Sequence, residues 1–183
     1  MGITFIGFMS NANAQNLTGK TNLTPYEEQM NKDVENRIYA SYMLVKSSFD
    51  RAYQANSGIP RGILEAISFN YTRFTHRAFT KETDDAGIGM PRTYGVMGLT
   101  LNGENYFRDN LKKVSVQSGI SVERIMNNPD DNVMAYAIAF KKIASLRKIK
   151  TKNPQDYIPV IIELCELPLN DDIQNDYAMN TFL

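Results

Sequence analysis

The stretch GILEAISFNYTRF, residues 62–74, is the one around which the chain is expected to organise. Ile63, Ile67, Tyr71 and Phe74 recur at spacings of four, four and three, so they share one face of a buried helix. Pro60 is placed to occupy the first turn of that helix, where its missing N–H would have had no intrahelical partner. A polar loop over residues 75–92 leads to a glycine-spaced turn, Tyr94-Gly95-Val96-Met97-Gly98-Leu99. A buried helix facing a loop and a tight glycine turn is a way to build a cleft.

Outward from this pair, the same periodicity continues in both directions. Upstream, Thr24-Pro25-Tyr26-Glu27 combines an N-cap threonine, a first-turn proline and a capping-box glutamate. The helix it opens is predicted to run to about residue 54, with Ile38, Tyr42, Leu44, Val45, Phe49 and Tyr53 as its apolar side. Downstream, a helix is expected from residue 104, with Tyr106, Phe107, Leu111 and Val114 facing the core and Gly119 closing it. Ser121 caps a short helix, and residues 130–149 carry Val133, Ala137, Phe140 and Ala144 on one stripe. Asn153-Pro154-Gln155-Asp156 opens a further helix to about residue 166, and a last one is expected over 170–183. No long segment alternates with a period of two, so the fold is expected to be all-α, with a short hairpin near residues 95–103.

The 183 residues, 43% hydrophobic and 22% charged, suit one domain with a sizeable core. Formal net charge is zero, which gives no nucleic-acid footprint. Cys165 is the single cysteine, in the apolar run Ile161-Ile162-Glu163-Leu164-Cys165; it is read as a buried, inert thiol. His76 is the single histidine; beside scattered carboxylates it makes a weak zinc site, so it is read as a solvated or capping histidine, and no cofactor is expected in this segment. Lys141, Lys142, Arg147, Lys148, Lys150 and Lys152 form a basic cluster that reads as a solvated helix face, with contact to anionic wall polymers as the alternative.

Residues 1–14 read as the remnant of a secretory signal peptide, an apolar run over 3–9 followed by Ala12-Asn13-Ala14 before Gln15. The positive n-region is missing, so the true reading frame is expected to begin earlier. Export to the periplasm or the cell exterior follows, and the run is too short to span a bilayer. Residues 15–23 read as a linker and 24–183 as the folded domain.

Three blocks carry a family resemblance. Ala66-Ile67-Ser68-Phe69-Asn70-Tyr71-Thr72-Arg73-Phe74, Thr93-Tyr94-Gly95-Val96-Met97-Gly98-Leu99 and Asn128-Pro129-Asp130-Asp131-Asn132-Val133-Met134-Ala135 resemble, in order, the catalytic helix, glycine turn and following helix start of lysozyme-like lytic transglycosylases. The resemblance implies a lysozyme-like helical domain with an extra N-terminal helix. It also places Tyr71 where such enzymes carry their catalytic glutamate, Gly98 where they carry a substrate-binding glutamine, and Ala139 where a glycan-contacting tyrosine is common. A phenol with an ordinary pKa near 10 is a poor general acid at neutral pH, so the resemblance implies a kept shape and lost chemistry.

Taken with the closing ELPLNDDIQNDYAMNTFL, the pattern is similar to the N-terminal region of secreted bacterial N-acetylmuramoyl-L-alanine amidases, in which a degenerate lysozyme-like domain precedes a zinc amidase domain. The expectation is therefore a glycan-binding or positioning module, with peptidoglycan strands and a C-terminal amidase domain as partners and no membrane in the mature form. The natural chain is expected to continue into that amidase domain. Tyr71 and Tyr94 are expected on opposite sides of the old active site, with Arg73, His76 and Arg92 at its rim. An active glycosidase with Glu82 as its acid is an alternative, and a purely structural module is another. Glu65 is the weaker acid, since six residues before Tyr71 it points away from the cleft face.

Overall fold

The computed structural model describes residues 23–80, 92–101 and 109–166. Helix α1 spans Pro25–Ala55 and opens with the expected reciprocal cap: the Glu27 N–H donates to Thr24 Oγ1 at 3.3 Å, and the Thr24 N–H donates to Glu27 Oε2 at 2.7 Å. It reaches the core from about its middle onward: Val45, Ser48, Phe49, Ala52 and Tyr53 are buried, and Ile38 and Tyr42 pack against the core half-buried. Leu44, expected on the apolar side, is 84% exposed. One residue before Val45, it lies about 100° round the helix and misses the core.

Helix α2, Ile63–Thr72, starts later than the sequence predicted. Its cap residue is Gly62, held at φ +97, so Pro60 precedes the helix and fills no first-turn position. Gly62 has no side chain with which to cap, and α1 supplies one instead. The Tyr53 hydroxyl accepts the Gly62 N–H at 2.9 Å and the Leu64 N–H at 3.1 Å, then donates to Glu65 Oε2 at 2.5 Å. Burial raises the Glu65 pKa, and the Tyr53 hydrogen bond partly opposes it. At its other end α2 passes into two successive left-handed residues, Arg73 (φ +52) and Phe74 (φ +65). They turn the Phe74 ring back into the core, 5.1 Å from Tyr42 and 6.2 Å edge-on to Phe49.

Strands β1 (Thr93–Tyr94) and β2 (Leu99–Thr100) pair antiparallel, Thr93 opposite Thr100 and Tyr94 opposite Leu99. The hairpin therefore sits slightly upstream of the predicted 95–103, because Gly95 and Gly98, both at positive φ, form its turn.

Helices α3 (Asn110–Ser118), α4 (Val122–Asn127), α5 (Pro129–Leu146) and α6 (Ile158–Cys165) follow, with a 3-10 turn at Pro154–Tyr157 before α6. Ser121, Asn128 and Asn153 cap α4, α5 and the 3-10 turn through their side-chain oxygens. The stretch expected to begin α3 at residue 104 lies outside the described residues, as do residues 1–22 and the helix expected over 170–183.

The hub is α5 rather than α2. It packs against α1, α3, α4 and α6. Asn132, Val133, Ala135, Tyr136, Ala137, Ala139, Phe140, Ile143 and Ala144 are all buried, more than the single predicted stripe of Val133, Ala137, Phe140 and Ala144. Its alanines let neighbouring helices approach closely, while Val133, Phe140 and Ile143 each contribute about 1.5–3 kcal/mol by burial. Asp130 ties the α5 start to α1 through Ser48 and Arg51, and both contacts hold its carboxyl below the usual range. Apart from the hairpin, the described residues are helix and connecting loop, an all-α fold. Among them no helix is long and apolar enough to cross a membrane.

Candidate functional site

The three sequence blocks meet at the hairpin turn. From α2, the hydroxyls of Ser68 and Thr72 reach the Val96 carbonyl at 3.0 and 2.6 Å. From α5, Asn132 Oδ1 accepts the Met97 N–H at 2.8 Å, while its Nδ2 donates to the Ile125 carbonyl at 3.0 Å. That carbonyl needs an outside donor, because the residue four positions on is Pro129, which has no N–H. Both turn glycines are close approaches. A Cβ on Gly95 would lie 1.9 Å from Asn132 Nδ2, and one on Gly98 would lie 2.6 Å from the Tyr71 Cβ. The turn is thus clamped between α2 and α5, with Val96, Met97 and Leu99 at most 1% exposed.

Tyr71 is half-buried, and its hydroxyl donates to Cys165 Sγ at 3.1 Å, near the end of α6. The Tyr136 phenol of α5 lies near both, is 2% exposed, and finds no hydrogen-bond partner among the described residues. Burial drives its pKa well above the ordinary phenol value, and the neighbouring Cys165 and Tyr71 add to the effect. This group of two phenols and a thiol turns Tyr71 toward the interior. It offers no carboxylic acid.

The expected rim residues lie at the end of α2 and in the segments that flank and form the hairpin. Arg73 is exposed and lays its guanidinium over the Phe69 ring, 4.1 Å from the centroid. Arg92 stands 5.9 Å from the Tyr94 centroid and donates to Thr80 Oγ1 at 3.2 Å. Tyr94 itself is 5% exposed, its ring beside Phe79 at 6.3 Å. Residues 77–80 run alongside β1: the Gly95 N–H donates to the Arg77 carbonyl at 2.7 Å, and the Arg77 guanidinium to Thr93 Oγ1 at 3.3 Å. His76, at the base of this strap, has both ring nitrogens buried and without a hydrogen-bond partner among the described residues. Burial lowers its pKa, and the Asn127 backbone opposes this weakly. Among the described residues no group of three or more His, Cys, Asp or Glu is placed to hold a metal. Glu82 lies outside the described residues. Ala139 is fully buried.

Sequence reasoning did not single out Ser68, Thr72, Asn132, Tyr136 or the Tyr71 contact with Cys165. Asn132 carried no strong local signal, since it is the fourth residue of α5, in the first turn, where a polar side chain is common. Comparison with family models, with curated proteins and with solved structures found no match to this chain.

Proposed function

We propose that this chain is a peptidoglycan-binding, positioning module of a secreted wall enzyme of the N-acetylmuramoyl-L-alanine amidase type, with a lysozyme-like fold and no glycosidase chemistry of its own. The observation that supports it is the convergence of the three resembling blocks on one turn, with Tyr71 packed there in place of an acid. Catalysis of glycoside cleavage needs a proton donor with a raised pKa beside the leaving oxygen, and a phenol turned onto a thiol does not supply one.

Binding falls to the rim. Arg73 laid over Phe69 and Arg92 over the buried Tyr94 ring are planar cations held in place by aromatic faces, suited to the lactyl or peptide carboxylates of the wall. The test is co-sedimentation of the purified chain with wall sacculi, using the double variant Arg73→Gln/Arg92→Gln. The variant is expected to lose about tenfold in retention with an unchanged melting curve. Equal retention by the two proteins would remove the rim from the proposal.

A purely structural module is the second reading, favoured by the inward-turned Tyr71 hydroxyl. It is distinguished by an absence of sacculus binding at every concentration tried.

A further inference from the structure

We infer that the segment following α5 is a second binding surface, a rigid comb of lysines that takes a linear phosphate-bearing polymer. Residues 141–152 hold six cations (Lys141, Lys142, Arg147, Lys148, Lys150 and Lys152) and no acid. Many of the acids lie elsewhere, with Glu27, Glu28, Asp33 and Glu35 on the first part of α1 and Asp130 and Asp131 at the start of α5; of those that follow the segment, Asp156 stands four residues beyond Lys152 and Glu163 pairs with Arg147. A net charge of zero therefore conceals a local positive field. Arg147 is paired with Glu163 at 2.8 Å, but Lys148, Lys150 and Lys152 are exposed and form no ion pair among the described residues.

The backbone behind these lysines is fixed. Burial alternates along the segment: Lys148, Lys150 and Lys152 are exposed, whereas Ile149 and Thr151 between them are half-buried. Ile149 packs against the core and its N–H donates to the Ala144 carbonyl at 3.0 Å. The Thr151 carbonyl accepts the Tyr157 hydroxyl at 2.9 Å, and the Thr151 hydroxyl accepts the Asn153 N–H at 2.9 Å. Lys148 sits at φ +58, a conformation costly for a side-chain-bearing residue, which turns the chain out of α5 and starts the alternation. Successive lysine Cα atoms are at most about 7 Å apart. Cations at that interval are of the order of the spacing between successive charges of an extended phosphodiester chain, and of every second phosphate in the more closely spaced polyphosphate; three together favour a polymer over a single ion, since each phosphate neutralised releases counterions. The surface is about 20 Å along α5 from Asn132 and the hairpin, so it can be tested without any glycan.

The experiment titrates the full chain with long-chain inorganic polyphosphate, with orthophosphate at equal total phosphate, and with vesicles rich in phosphatidylglycerol. Polyphosphate is expected to bind at least about tenfold more tightly than either. Its affinity should fall at least about tenfold between roughly 50 and 500 mM salt. The variant Lys148→Gln/Lys150→Gln/Lys152→Gln is expected to lose about tenfold. Lys32→Gln/Arg37→Gln/Lys46→Gln on α1, with the same charge change, should stay within about twofold, and melting curves check that both remain folded. Four results would overturn the inference: no polyphosphate binding, undiminished binding by the comb variant, equal binding of orthophosphate, or preference for the vesicles.

Discussion

If Asn132 is the clamp on the glycine turn, its removal and the filling of Gly95 should not be independent. Asn132→Ala strands the Met97 N–H and the Ile125 carbonyl, which the amide serves at 2.8 and 3.0 Å in a fully buried position. Each orphaned group costs about 1–3 kcal/mol, so the single variant should lose about 2–6 kcal/mol. Gly95→Ala alone incurs about 1 kcal/mol for an alanine at φ +71, plus about 1–3 kcal/mol for driving a methyl into the Asn132 amide. In the double variant the amide is gone and the methyl has space, so only the conformational cost of Gly95→Ala remains. The double variant should therefore be about 1–3 kcal/mol more stable than the sum of the singles predicts. Thermal unfolding followed by far-UV circular dichroism reads this, at about 2–4 °C per kcal/mol for a chain of this size. Costs that add to within about 0.5 kcal/mol would refute the clamp, as would an Asn132→Ala protein as stable as the parent.

Other outcomes follow from the same geometry. Tyr53→Phe leaves the Gly62 and Leu64 N–H groups and Glu65 without the hydroxyl that joins them; it should cost about 2–4 kcal/mol in denaturant melts, and a loss below about 0.5 would show that water replaces the cap. Because burial lowers the His76 pKa, the unfolded chain takes up the proton first, so stability present above pH about 6.5 should be lost as pH falls toward the folded-state value. His76→Gln should flatten that dependence, and an unchanged pH profile in the variant would assign it elsewhere. Incubation with peptidoglycan should release no reducing ends or anhydro-sugars; turnover abolished by Glu82→Ala would place an acid in that loop.

The helical class was legible because capping and periodicity are local: Thr24 with Glu27, and Asn153 with Pro154, mark starts that the structure keeps. What was not legible depended on partners distant in the chain. The α2 start moved off Pro60 because Tyr53, nine residues ahead of Gly62, caps it from another helix. The central place of α5 follows from alanines, whose periodicity is weak but whose size admits four neighbours. At the candidate site the blocks were visible as sequence, but the inward hydroxyl of Tyr71 depends on Cys165, 94 residues away. Tyr94 looked like a cleft wall from its place before Gly95, whereas Phe79 and Arg92 cover its ring.

The most direct test of the central claim is a binding isotherm of the purified chain on wall sacculi, in parallel with sacculi stripped of their stem peptides. Saturable retention is expected on both, tighter where peptide carboxylates remain, and reduced about tenfold in Arg73→Gln/Arg92→Gln. No saturable retention on either, by a chain with an intact melting transition, would contradict the proposal that this domain positions an enzyme on the wall.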